Sequence, residues 1–241
     1  ENGKLTIGKS TFSDWKAFDE LSVADVVVFS SNTGTIKLGS RLGGAGITAF
    51  AKQLGFGRMR FPNLPGAESG YIRVQDRWTP TAVASLSIGY GVAVTPVQLA
   101  AAYASIANGG KAVTPSILCD STQESKRVMK PETAEAVRMI LSEAVSRGTG
   151  KAARPEGYTA GGKTGTARRY DHNKGAYDEN RVTCVFAGFA PAKNPKISVC
   201  VVVDDPVKHK WASKVPTRVF AEVVSKTLQY LGLSAERKRA A

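Results

Sequence analysis

Gly161-Gly162-Lys163-Thr164-Gly165-Thr166-Ala167 is the stretch on which the reading of this chain turns. With the residues before it, it satisfies the phosphate-loop pattern G-x-x-x-x-G-K-[ST] over Gly157–Thr164. That pattern cradles phosphate only between a strand and a helix. No apolar strand precedes Gly157, where the chain reads Lys151-Ala152-Ala153-Arg154-Pro155. Gly165 directly after Thr164 opens a helix poorly, and residues 168–180 are polar with no helical period. The context therefore argues against nucleotide binding. A Lys-Thr-Gly triplet alone is a weak signal, and its meaning depends on what surrounds it.

Downstream, Val182–Ala190 and Ile197–Val203 read as strands, joined through Pro191–Pro195 as a hairpin connection. A last amphipathic helix starts near Pro216, carries Val219, Phe220, Val223, Val224, Leu228 and Leu231, and stops at Gly232. Upstream, a helix runs from about Pro131 to Val145, with Ala134, Val137, Leu141 and Val145 on one face and Gly148 as its stop. Thr95-Pro96-Val97-Gln98 is a capping box with proline at the first helical position. Its helix reaches Ile106 and ends at Asn108-Gly109-Gly110. Residues 58–82, rich in Pro, Gly and Arg, read as a long surface loop. A helical pattern through Ile36, Leu38, Ile47, Phe50 and Leu54 is divided by Gly43, Gly44 and Gly46 and ended by Gly55 and Gly57. Leu21–Phe29 fits a helix capped by Ser22 or a buried strand. The first twenty residues read as irregular. Helices, then strands, then a helix predict an α+β fold: a helical lobe packed beside a mainly antiparallel sheet.

Composition narrows the chemistry. The 241 residues suffice for one sizeable core, and the net charge of +13 favours anionic partners. The basic residues are dispersed, apart from a tail over 233–241, and show no nucleic-acid-binding pattern, so nucleic acid is not expected as a partner. Cys119, Cys184 and Cys200 lack metal-ligand spacing and read as small buried hydrophobes. Cys184 and Cys200 fit neighbouring strands, with their disulfide state open. His172 and His209 sit in polar stretches, which leaves little for a Ser-His-Asp triad or a histidine zinc site. No metal or cofactor is expected. No apolar stretch reaches the roughly 18–20 residues of a membrane span.

Ser30-Ser31-Asn32 taken alone is a helix cap or turn. Paired with Lys163-Thr164-Gly165 some 130 residues later, it matches the order S-x-N then K-T-G of the penicillin-recognising serine enzymes. On these motifs the chain resembles the class B, monofunctional penicillin-binding proteins. LSVADVVVFSSNTGTIKLGSRLG, SIGYGVAVTPVQLAAAYASIANGG, SRGTGKAA, GGKTGTA, VFAGFAP and VVVDDP follow in family order, over residues 20–232. The resemblance implies a peptidoglycan D,D-transpeptidase that cross-links stem peptides through a serine acyl-enzyme. Its partners would be the D-Ala-D-Ala stem peptide, β-lactams and cell-wall synthesis proteins. The full-length form would be membrane-anchored on the extracytoplasmic face. Matched residue by residue, Ser30 is the proton-relay serine and Asn32 the contact to the substrate amide. Lys163, Thr164 and Thr166 would hold the substrate carboxylate, Gly165 between the threonines would belong to the substrate-binding strand, and the Thr166 region would supply an oxyanion donor.

One departure bears on activity. The S-x-x-K match at Ser13-Asp14-Trp15-Lys16 lies only 17 residues before Ser30, much closer than in the family, and lacks the apolar helix that buries such a serine. Residues 1–241 are thus expected to be the C-terminal part of a transpeptidase domain, with the nucleophile not in the chain and Ser13 a poor substitute. The stretch Trp211-Ala212-Ser213-Lys214 is also less glycine-rich than the family pattern. A non-catalytic scaffold of cell-wall synthesis, a serine β-lactamase or a D,D-carboxypeptidase are the alternatives.

Overall fold

The structure, a computed structural model, describes residues 2–58, 67–118, 125–171, 173, 175–208 and 211–236. Cys119, His172, His209 and the tail beyond 236 lie outside the described residues.

Three strands form the main sheet. β5 (Gly161–Asp171), β6 (Ala176–Ala190) and β7 (Ile197–Asp204) run antiparallel in the order β5-β6-β7. Two smaller antiparallel pairs precede it: β1 (Lys4–Ile7) with β2 (Ser10–Ser13), and β3 (Tyr71–Ile72) with β4 (Val92–Ala93). The helices are α1 (Val23–Val28), α2 (Asn32–Gln53), α3 (Pro80–Ser87), α4 (Pro96–Ala107), α5 (Pro131–Ser146) and α6 (Pro216–Tyr230). The α+β expectation holds.

Alternation along β7 explains the layers. Ile197, Val199 and Val201 pack on the cluster that contains Phe220, Val224 and Leu228 of α6. Ser198, one residue out of phase, donates from Oγ to Ala100 O of α4 at 2.9 Å. β7 is therefore sandwiched between two helices. Phe186 of β6 meets Phe220 edge-on, with ring centroids 4.7 Å apart, and both side chains are fully buried. Each such ring stabilises the core by about 1.5–3 kcal/mol through burial.

Local chemistry sets the helix ends. Ser22 Oγ accepts from Asp25 N and starts α1; the helix reading of Leu21–Phe29 is the one adopted. At α4, Thr95 and Gln98 form the complete capping box. Within α2, Gly43 has φ +69° and ψ 166°, so the helical run bends there, as the glycine cluster predicts.

Four expectations are corrected. The first twenty residues are not irregular: Lys4–Ile7 and Ser10–Ser13 pair in register, a strand signal four residues long and too weak to stand out. The segment 58–82 is not all loop, because Thr79 caps and Pro80 opens α3. β5 is a third long strand. With β6 it extends through the polar residues near 170, past a bulge between Arg168 and Arg169, where exposure on both faces removes the apolar alternation. On α6, Phe220, Val224 and Leu228 are buried, whereas Val219, Val223 and Leu231 are 40–52% exposed, so its apolar face is narrower than the sequence suggests.

Candidate active site

Sequence-distant segments converge at the outer edge of β5. α1 ends at Val28, and α2 begins with Ser31 as its N-cap, whose Oγ accepts from Gly34 N. Between them Ser30 adopts φ +59°, a left-handed conformation uncommon for a residue with a side chain. This sharp reversal turns the Ser30 hydroxyl toward the sheet. Lys163 Nζ of β5 donates to Ser30 Oγ at 2.7 Å, across 133 residues of chain, and to Thr164 O at 2.9 Å. Burial pushes the Lys163 ammonium from 10.5 down to about 8. A lysine in that range exchanges protons near neutrality far more readily than an exposed one.

A cleft of about 630 Å³ opens beside this pair. Asn32, Thr164 and Thr166 line it together with Ser30. Gly165, between the two threonines, keeps the strand edge free of a side chain. Asn32 Nδ2 donates to Ser13 O at 2.9 Å, which holds the amide against the end of β2. Thr149 and Thr164 hydroxyls are 2.8 Å apart, and Thr166 Oγ1 accepts from Ala212 N at 3.1 Å.

The predicted residues Ser30, Asn32, Lys163, Thr164, Gly165 and Thr166 are thus brought to one place. Ser13 is not on a helical turn with Lys16: it ends β2, and its carbonyl serves Asn32. Inside the same tetrapeptide the informative residue is Asp14. Its carboxylate accepts from Ser31 Oγ at 2.9 Å, Thr33 N at 3.0 Å and Thr33 Oγ1 at 2.9 Å, and so anchors the start of α2. The β5 strand also removes the phosphate-loop alternative, because Lys163 lies within a strand and not at a helix N-terminus.

Sequence reasoning gave no role to Trp15, Arg147, Thr149 or Trp211, all of which line the cleft. SRGTG was the available signal for Arg147 and Thr149. The close approach behind it is concrete: a Cβ on Gly148 would lie 2.2 Å from Val28 O. Only glycine lets the end of α5 reach the end of α1, where Thr149 N donates to Val28 O at 3.3 Å. Cys184 and Cys200 sit on the neighbouring strands β6 and β7. Cys184 pairs with Val203 and Cys200 with Ala187, so the two are out of register and remain free thiols. Among the described residues no cluster of His, Cys, Asp or Glu could hold a metal. No helix among them is long and apolar enough to cross a membrane.

Residues 1–225 match the family model for the penicillin binding protein transpeptidase domain. The chain is 35% identical over 231 residues to the probable peptidoglycan D,D-transpeptidase PenA of Neisseria gonorrhoeae, covering 95% of this chain and 39% of that protein. It is 34% identical over 229 residues to stage V sporulation protein D of Bacillus subtilis, covering 89% of this chain and 35% of the other. The chain therefore spans between about a third and three-fifths of the length of the curated relatives it matches. The apo transpeptidase domain of Burkholderia pseudomallei penicillin-binding protein 3 superposes with a TM-score of 0.90 at 32% identity, covering 98% of this chain and 72% of that one. Matched by the family model over residues 1–225 and superposed over 98% of its length, this chain belongs to the penicillin binding protein transpeptidase domain family.

Proposed function

We propose that this chain provides the S-x-N and K-T-G walls of a serine peptidoglycan D,D-transpeptidase that cross-links stem peptides ending in D-Ala-D-Ala and is trapped by β-lactams. The observation that carries the reading is the 2.7 Å bond from Lys163 Nζ to Ser30 Oγ. It joins a lysine of lowered proton affinity to a hydroxyl that can pass a proton on. In this reading Ser30 relays protons to and from the acylating serine. Asn32 holds the substrate amide, exchanging its bond to Ser13 O for one to the substrate. Thr164 and Thr166 hydroxyls bind the terminal carboxylate beside the Lys163 charge. The free edge of β5 receives the substrate backbone as an added strand, and Gly165 keeps that edge clear. Backbone N–H near Thr166 completes the oxyanion site with the amide of the nucleophile. The nucleophile is supplied from outside residues 1–241. The parent protein works at the extracytoplasmic face of a bacterial membrane beside other cell-wall synthesis proteins.

Incubation with a fluorescent penicillin, followed by denaturing electrophoresis, tests the assignment in two steps. Residues 1–241 alone should give no labelled band. A chain extended upstream to include a serine with lysine one helical turn later should label. That band should fade in Lys163→Ala and Ser30→Ala variants. Labelling of residues 1–241 that disappears in Ser13→Ala would refute the placement of the nucleophile. An unlabelled extended chain would favour the scaffold alternative. Turnover of the penicillin to penicilloate would favour the β-lactamase, and release of D-Ala without cross-linking the carboxypeptidase.

A further inference from the structure

The cleft has a second cationic region on the side of its mouth formed by the segment after β2. Lys16 Nζ stands 5.1 Å from the Trp15 ring centroid, 4.9 Å from that of Phe18 and 5.9 Å from that of Phe29. Arg147 Cζ lies 5.3 Å from the same Phe29 ring. Trp15 is fixed by its Nε1–H, which donates to Phe29 O at 2.8 Å, and Trp15 and Phe18 meet edge-on with centroids 5.9 Å apart. Lys16 and Lys151 both line the cleft and are exposed, and neither makes an ion pair among the described residues. Arg147 differs: Asp25 and Glu143 hold it. None of the residues lining the cleft carries a carboxylate.

An ammonium held against aromatic faces is partly oriented in advance, which lowers the cost of recruiting it to an anion. Lys163 and the threonine hydroxyls already provide for one carboxylate at the strand edge. Lys16 and Lys151 therefore leave positive charge in the cleft beyond that of Lys163, with the Trp15 and Phe29 rings beside Lys16 as apolar walls.

We propose that Lys16 and Lys151, with Trp15 and Phe29 as walls, form a second anion subsite that receives a carboxylate carried on a side chain of the peptide substrate, and that it selects acidic over amidated peptides. This deepens the function proposed above and rests on it. The K-T-G edge grips the terminal carboxylate, and the Lys16 region reads a second charge farther along the same peptide.

The pair acetyl-Glu-D-Ala-D-Ala and acetyl-Gln-D-Ala-D-Ala tests it, because the two peptides differ only by carboxylate and carboxamide. Affinities are read by amide chemical-shift titration of the chain extended upstream to include the acylating serine, with that serine replaced by alanine to block turnover. Two exposed ion pairs predict that the glutamate peptide binds about threefold to tenfold more tightly. The preference should shrink as salt is raised and fall to unity in the Lys16→Gln/Lys151→Gln double variant. In that variant the glutamine peptide should bind as it does to the parent chain. Equal affinities for the two peptides, with shifts at Asn32, Thr164 and Thr166, would overturn the subsite and leave the K-T-G reading standing. So would a preference that survives the double substitution. If neither peptide shifts those three residues, the transpeptidase reading fails, and the subsite with it.

Discussion

Replacing Lys163 by methionine should make this fold more stable at pH 7 while disabling its cleft. Burial holds the Lys163 ammonium at about 8, against an ordinary 10.5. At about 1.4 kcal/mol for each tenfold change in proton affinity, the charged lysine costs the folded state at most about 3 kcal/mol. That cost applies in full below pH 8, where both folded and unfolded chains are protonated. Between pH 8 and 10.5 the unfolded chain holds a proton that the folded chain has lost, so stability rises with pH across that window. Methionine keeps most of the apolar stem and removes the charge. It forfeits the bonds to Ser30 Oγ and Thr164 O, but both acceptors border the open cleft, where water can replace the ammonium. A net gain of about 1–3 kcal/mol at pH 7 is expected, equivalent to several degrees in Tm for a domain of this size. Cys200 acts in the opposite direction. Burial raises its thiol from 9.0 to about 11, so it removes stability as pH climbs through that range. Cys200 is present in both proteins and cancels in their difference. Urea unfolding of parent and Lys163→Met chains at intervals from pH 6.5 to 10.5 supplies the comparison. The gap should be widest below pH 8 and close toward 10.5. A variant less stable than the parent at pH 7, or a gap that does not change with pH, would refute the argument that burial of this charge opposes folding.

Other substitutions test the supports of the cleft. Asp14→Ala removes the acceptor of three hydrogen bonds from Ser31 and Thr33, both buried, and should cost about 2–3 kcal/mol in urea unfolding, with Asp14→Asn recovering part. Gly148→Ala places a Cβ 2.2 Å from Val28 O and should cost about 1–3 kcal/mol, read as a fall in Tm. Gly46→Ala, in α2 with nothing nearer than Leu42 Cβ at 3.6 Å, should instead raise stability by about 0.5–1 kcal/mol. Gln98→Ala leaves the carbonyls of Gly55, Arg58 and Ser69 without their donor and should cost about 2–3 kcal/mol, with faster hydrogen exchange around Gly55.

Legibility in the sequence followed the range of the forces involved. Thr95 and Gln98 satisfy each other three residues apart, so the start of α4 could be read locally. Gly43 carries its own backbone preference, so the break in α2 could be read too. Ser30, Asn32 and Lys163 were legible only as motifs, because their order is preserved while their meeting depends on the whole fold. Arg147, Thr149 and Trp211, though within stretches singled out in the sequence, carry no readable role there, for the converse reason. Thr149 and Trp211 act through a distant partner or a wall of the cleft, Arg147 reaches distant Asp25 as well as Glu143 four residues back, and none leaves a period behind. Ser31 shows how two readings can both be true. It is the helix cap that the triplet suggests in isolation, and the same cap directs its neighbours Ser30 and Asn32 into the cleft.

That dual role explains why a strained residue can persist at the centre of the site. A serine at φ +59° loses conformational energy of order 1 kcal/mol and would relax if its neighbours were free. They are not free. Thr149 N holds Val28 O, two residues before Ser30, and Asp14 holds Ser31, the residue after it. The hydroxyl of Thr149 meets Thr164, and Lys163, next to Thr164, meets Ser30. These bonds form a closed circuit through α1, α5 and β5, so no single element can move without breaking a bond to another. A proton relay needs its hydroxyl within about 3 Å of both donor and acceptor throughout the reaction. If Ser30 relays protons as proposed, its hydroxyl must stay beside Lys163 Nζ, and clamping the backbone on each side of Ser30 holds that distance at 2.7 Å.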